Sequence, residues 1–207
     1  MSAEPDAVEI RVVGSLLEKQ RTTPEGYPLS VNALRLACNQ TTNRDPVVDL
    51  DERTVVAALE RLHRRGWTRM ASGAGSRARK YRHLLDGALS LEREQLAVLC
   101  VLMLRGPQTP GELKQRTERL HDFADLAAIE AVLEGLIERG LAARVERGSG
   151  QKEQRYVQLL GEAAPGSRPP GARSPDAASG DDRLARLERE VAELRAEVDS
   201  LREQLGG

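Results

Sequence analysis

The feature that most constrains this chain is an internal repeat. Val55, Leu59, Leu62, Arg65 and Gly66 recur as Ile129, Leu133, Leu136, Arg139 and Gly140 at a constant spacing of 74. Tyr81, Leu84 and Leu85 recur as Tyr156, Leu159 and Leu160 at a spacing of 75, so one residue has been gained in the connection between the two sets. A shared period of this size means that most of the 207 residues are two copies of one supersecondary unit.

Each copy reads as three helices followed by a hairpin. In the first, Asp6 caps a helix to about Gln20, with Ile10, Val13, Leu16 and Leu17 on one face. Two prolines and a glycine in residues 21–28 break it. Ser30 opens a second helix through Val31, Leu34 and Cys38, and Asp51 opens a third with Val55, Val56, Leu59 and Leu62 inward, ending at Gly66. Short alternating runs at 67–71 and 80–84 then predict a β-hairpin whose tip, 72–79, is rich in Gly, Ser and Arg.

The second copy has the same order. A helix over 90–104 is followed by Thr109 as N-cap with Pro110 at the first helical position, a helix to about Leu120, a third over 125–140, and a hairpin joining 142–147 to 154–160. Three helices and a hairpin, with the second and third helices closely joined, make a winged helix-turn-helix. The fold class expected is therefore α+β: tandem winged helix-turn-helix domains at 1–86 and 87–160. Each is expected to have its own core, one on Leu16, Leu34, Leu59 and Leu62, the other on Leu99, Leu113, Leu133 and Leu136.

Residues 161–182 turn to Pro, Gly, Ala and Ser without an apolar period, the composition of a disordered linker. At 183–205, Leu184, Leu187, Val191, Leu194, Val198, Leu201 and Leu205 alternate spacings of three and four, which predicts a coiled-coil helix. Valine at two central a positions with leucine at d favours a parallel homodimer. Glu190 then faces the partner's Arg195, and Glu197 the partner's Arg202.

Composition narrows the function. Aromatic residues are only 2 % of the chain, too few for base-stacking platforms on single strands. No run of 18 apolar residues suggests a membrane span and no signal peptide is evident, so a cytoplasmic address is expected. Cys38 and Cys100 sit inside apolar helical patterns and read as core. His63, His83 and His121 lack metal-ligand spacing. No nucleotide-binding glycine pattern or catalytic constellation emerges, so neither a cofactor nor an enzymatic activity is expected.

The total charge of −1 hides an asymmetry: residues 1–85 carry 14 Lys+Arg against 10 Asp+Glu, 90–160 carry 10 against 11, and 161–207 carry 7 against 10. A polyanion would therefore meet the first copy. Its third helix is the candidate recognition helix, presenting Arg53, Thr54, Arg61 and Arg64, with Arg77, Arg79 and Lys80 on the hairpin to follow a phosphate backbone. The equivalent helix of the second copy offers Glu130, Glu134 and Glu138 instead.

Three stretches, Tyr27-Pro-Leu-Ser-Val-Asn-Ala-Leu34, Cys38-Asn-Gln-Thr-Thr-Asn-Arg-Asp-Pro46 and Arg105-Gly-Pro-Gln-Thr-Pro-Gly-Glu-Leu113, resemble the YceH-like family of uncharacterised bacterial proteins over residues 8–160. The resemblance implies the same tandem winged-helix fold and brings no activity, ligand or catalytic residue with it. The family's pattern often has a Lys-Ser pair where this chain has Thr41 and Thr42. The adjoining Asn43, Arg44, Asp45 and Pro46 read either as a polar binding loop or as a turn held by side-chain-to-backbone hydrogen bonds.

Two functions compete. The first is a dimeric DNA-binding regulator with double-stranded DNA as its partner. The second is an adaptor whose winged helices dock a protein.

Overall fold

Each long helix begins where a capping side chain dictates. In the computed structural model, which describes residues 4–71, 79–145 and 153–162, helix α1 (Ala7–Thr22) starts at Asp6 with a reciprocal capping box to Glu9. Helices α2 (Val31–Cys38) and α3 (Glu52–Arg64) start at Ser30 and Asp51, whose side chains accept from the backbone N–H groups of Ala33 and Thr54. A 3₁₀ turn, Pro24–Gly26, separates α1 from β1 (Leu29–Ser30). After α3, Gly66 takes a φ of 74°, which lets the chain reverse into β2 (Thr68–Met70) and β3 (Lys80–His83).

The second copy repeats this order after a short helix α4 (Leu85–Ala88). Helices α5 (Arg93–Arg105), α6 (Pro110–Thr117) and α7 (Leu126–Glu138) precede β4 (Ala142–Val145) and β5 (Arg155–Gln158). Thr109 and Glu112 form the capping box of α6 with Pro110 in its first turn, and Asp125 caps α7. The architecture is α+β, with seven α-helices and two small antiparallel sheets among the described residues, ordered β1-β3-β2 and β4-β5.

Strand register carries the repeat further than sequence could. Thr68, Arg69 and Met70 pair with His83, Arg82 and Tyr81. Ala142, Ala143 and Arg144 pair with Gln158, Val157 and Tyr156, the same three rungs displaced by 74 and 75. Leu29 pairs with Tyr81, and Gln108 forms a lone bridge with Tyr156, so the strand preceding the second helix also has a counterpart.

The expectation of two separate cores is corrected. The described residues lie within one compact unit, Met1–Pro170, and their buried apolar side chains form one contiguous cluster that joins Leu16, Leu34, Leu59 and Leu62 to Leu99, Leu113, Leu133 and Leu136. The joint is α1 against α5. Every residue from Glu9 to Leu17 and from Leu96 to Leu104 is buried, so neither stretch has a solvent face. Gly14 makes the approach possible: a Cβ there would stand 3.1–3.3 Å from Leu104 and Met103. The Cys100 thiol lies 3.6 Å from the Gly14 carbonyl, to which it donates. Further bonds cross between the copies from Asp45 N–H to Leu104 O (2.9 Å) and from Glu162 N–H to Pro5 O (2.8 Å).

The linker (161–182), except Gly161 and Glu162, the coiled coil (183–205) with its seam of Leu184 to Leu205, and Arg77 lie outside the described residues. Among those described, no helix is long and apolar enough to cross a membrane.

Candidate nucleic-acid interface

The residues expected on the third helix separate into two groups. Arg53 and Arg64 are exposed on α3 and form no ion pair among the described residues. Thr54 is half-buried, its N–H donating to the Asp51 cap at 2.7 Å, a bond that holds the Asp51 carboxyl below the usual range. Arg61 faces α1, where its guanidinium meets Asp6 (2.6 Å) and Glu9 (3.1 Å), and Arg65 joins it on Glu9 at 3.2 Å. Glu9 is 2 % exposed, so these arginines neutralise a buried carboxylate, fastening α3 to α1.

The hairpin gathers more charge than the sequence pattern singles out. Arg79 is exposed and Lys80 half-buried, with Lys80 opening β3 as expected, and the fold adds Arg69 and Arg82 to them. These two stand directly opposite each other in the β2–β3 register, which puts both side chains on one face of the sheet. Lys80, two residues before Arg82 on the same strand, shares that face. The other face, with Tyr81 and His83, packs on α1 through a 2.6 Å bond between the His83 ring and Gln20. Burial holds His83 neutral, its pKa pushed down to about 4.

Among the described residues no carboxylate forms an ion pair with the hairpin's cations. Arg69, Arg79, Lys80 and Arg82 form no ion pair among the described residues, and the Arg82 Nε is buried without a hydrogen-bond partner there. A signal for this face exists in the sequence: residues 61–85 contain eight cations (Arg61, Arg64, Arg65, Arg69, Arg77, Arg79, Lys80 and Arg82) and no Asp or Glu. The second copy is built differently at the same rungs. Arg69 and Arg82 correspond to Ala143 and Val157, while Arg144 is paired with Glu134, and Arg155, the counterpart of Lys80, with Glu112 at 3.0 Å.

Between α3 and the hairpin lies a groove of about 390 Å³, floored by Val56, Leu59 and Tyr81 and bordered by Met70, Arg69, Arg79 and, from α3, Glu60 and His63. Met70 is 49 % exposed. The 39–51 loop is no binding surface at Arg44. That guanidinium turns inward, donates to the Ala37 carbonyl at 2.8 and 3.0 Å, and forks onto Glu18 at 2.6 and 3.1 Å. Both cysteines are buried, and burial pushes the Cys38 thiol up to about 11 and the Cys100 thiol higher, so neither supplies a thiolate near neutrality.

The chain is thus an α+β protein of duplicated helix-and-hairpin units, one of which carries a basic face without an ion pair among the described residues. Residues 6–151 match the family described as a protein of unknown function, DUF480, and the chain belongs to that family. Its curated relatives include proteins named UPF0502 from Pelobacter propionicus, 52 % identical over 94 % of this chain and 91 % of that protein, and Solibacter usitatus, 46 % identical over 98 % of each. Another, from Shewanella amazonensis, is 45 % identical over 95 % of this chain and 96 % of that protein.

Proposed function

We propose that each unit is a winged helix, that the first contacts duplex DNA through its hairpin and α3, and that the chain acts as a non-catalytic binding protein paired through residues 183–205. The observation that carries this reading is the Arg69–Arg82 rung. Like charges directly opposite across a strand pair weaken the sheet. The chain's own second copy supports the same rung with Ala143 and Val157, so the fold does not require cations there. Two arginines and a lysine in a row, without an ion pair among the described residues, suit a surface that is neutralised by phosphates.

Arg53, Arg64 and Arg79 extend the surface to either side of the groove. Arg61, engaged by Asp6 and Glu9, is not part of it. Titration of the full chain onto mixed-sequence duplex DNA across a salt series tests the reading. It predicts binding at low salt whose logarithm falls linearly with that of the salt concentration. Undetectable binding at low salt would remove it. Sedimentation of the Leu194→Asp variant checks the pairing: a charge in the seam should turn a dimer into a monomer.

The adaptor reading draws on the groove. A half-exposed Met70 beside Val56 and Tyr81 offers an apolar side chain of a protein partner a place to dock. Met70→Ala, which removes apolar surface without adding a charge, should then weaken capture of that partner while leaving DNA affinity little changed.

A further inference from the structure

A second concentration of arginine lies away from the hairpin, where α1, α5 and α6 meet the 39–51 loop. Here a cavity of about 60 Å³ opens between the two copies, several times the space one water needs. Arg105 from the end of α5, Arg116 from α6 and Arg119 just beyond it line its mouth, with Leu104 and Leu120 on the wall. Only part of this charge is neutralised. Arg116 meets Glu112 at 3.5 Å, Arg105 donates to the Asn43 side-chain oxygen, and Arg119 has no hydrogen bond or ion pair among the described residues. Glu18, the carboxylate in the lining, is committed to Arg44.

We propose that this cavity is a binding site for a small tetrahedral oxyanion, free phosphate or the terminal phosphoryl group of a larger molecule, held by Arg105, Arg116 and Arg119. The volume admits one such group. Three planar guanidinium forks lining one small cavity suit its several oxygens. The site's own electrostatics agree: burial, then the neighbouring Arg116 and Arg44, hold the Arg105 guanidinium below its usual range, a cost that an anion would relieve. Asn43, which accepts from Arg105, sits at a φ of 59°, so an anion there would also fix the loop that leads into α3. This site is independent of the hairpin reading and stands or falls without it.

The test is thermal unfolding and calorimetric titration of the full chain with inorganic phosphate, with glycerol phosphate, and with sodium chloride at matched ionic strength and pH. The expected result is a rise in melting temperature of about 3 °C or more at a tenfold excess over Kd, absent with chloride. Tighter binding of inorganic phosphate assigns the site to the free ion, and tighter binding of the ester assigns it to a phosphoryl group. Arg119→Gln, a change that removes no bond among the described residues, should weaken either ligand about tenfold, whereas Arg35→Gln, at a half-buried arginine outside the cavity, should not. Equal stabilisation by chloride, or equal weakening in both variants, would overturn the proposal.

Discussion

At the scale of single residues, the Arg69–Arg82 rung and His83 act on stability in opposite ways. The rung opposes two cations that the second copy replaces with Ala143 and Val157, so installing those residues removes a repulsion together with the Arg82 Nε, which is buried without a partner among the described residues. The double variant Arg69→Ala, Arg82→Val should be as stable as the parent or more stable by up to about 1 kcal/mol, as read by thermal unfolding. A destabilisation beyond about 1 kcal/mol would mean that the arginines are structural. His83 is kept neutral by burial, its folded pKa of about 4 lying below the ordinary value of 6.5. The unfolded chain therefore takes up this proton first as pH falls. Stability present above about pH 6.5 should decline towards pH 4, by up to about 3 kcal/mol from this group. His83→Gln should flatten that decline in a series of melts, and an unchanged slope would show that the ring is not the group titrating.

At the scale of elements, the caps are legible because they are local. Asp6, Ser30, Asp51, Thr109 and Asp125 each announce a helix by residue type and spacing, and each is a cap in the structure. The short helix Leu85–Ala88 and strand Leu29–Ser30 are not legible, because four and two residues carry no period and the strand exists only through its pairing with β3. The basic rung escapes sequence reasoning for a related cause: Arg69 and Arg82 are 13 positions apart, and only register sets them opposite. The shared core is half legible. Leu96 to Leu104 is apolar all round, the mark of a helix enclosed on every side, yet nothing local names α1 as the element that encloses it. Gly14 tests that packing. Alanine favours a helix by about 1 kcal/mol, but its Cβ would press on Met103 Cβ, which the α5 backbone holds in place. Gly14→Ala should destabilise by about 1 kcal/mol net, and Gly14→Val distinctly more, in denaturant titrations. A more stable alanine variant would mean that α5 yields.

At the scale of the whole molecule, a core that runs through α1 and α5 makes the duplicated units one folding unit. A chain ending after Glu162 should unfold in one cooperative transition by calorimetry and by circular dichroism alike, and two resolved transitions would restore the picture of separate cores. The same shared core ties the basic hairpin of the first copy to the paired charges of the second, so the proposed polyanion contact falls on the first copy's hairpin. The central claim is that this face exists for phosphate. The measurement that tests it most directly is the salt dependence of duplex DNA binding by the parent and by the Arg69→Ala, Arg82→Val variant, compared under identical conditions. The account predicts that the variant's slope is shallower by about 0.9 for each phosphate that the two arginines neutralise, with weaker binding at every salt concentration and undiminished thermal stability. Equal slopes and equal affinities for the two proteins would contradict it.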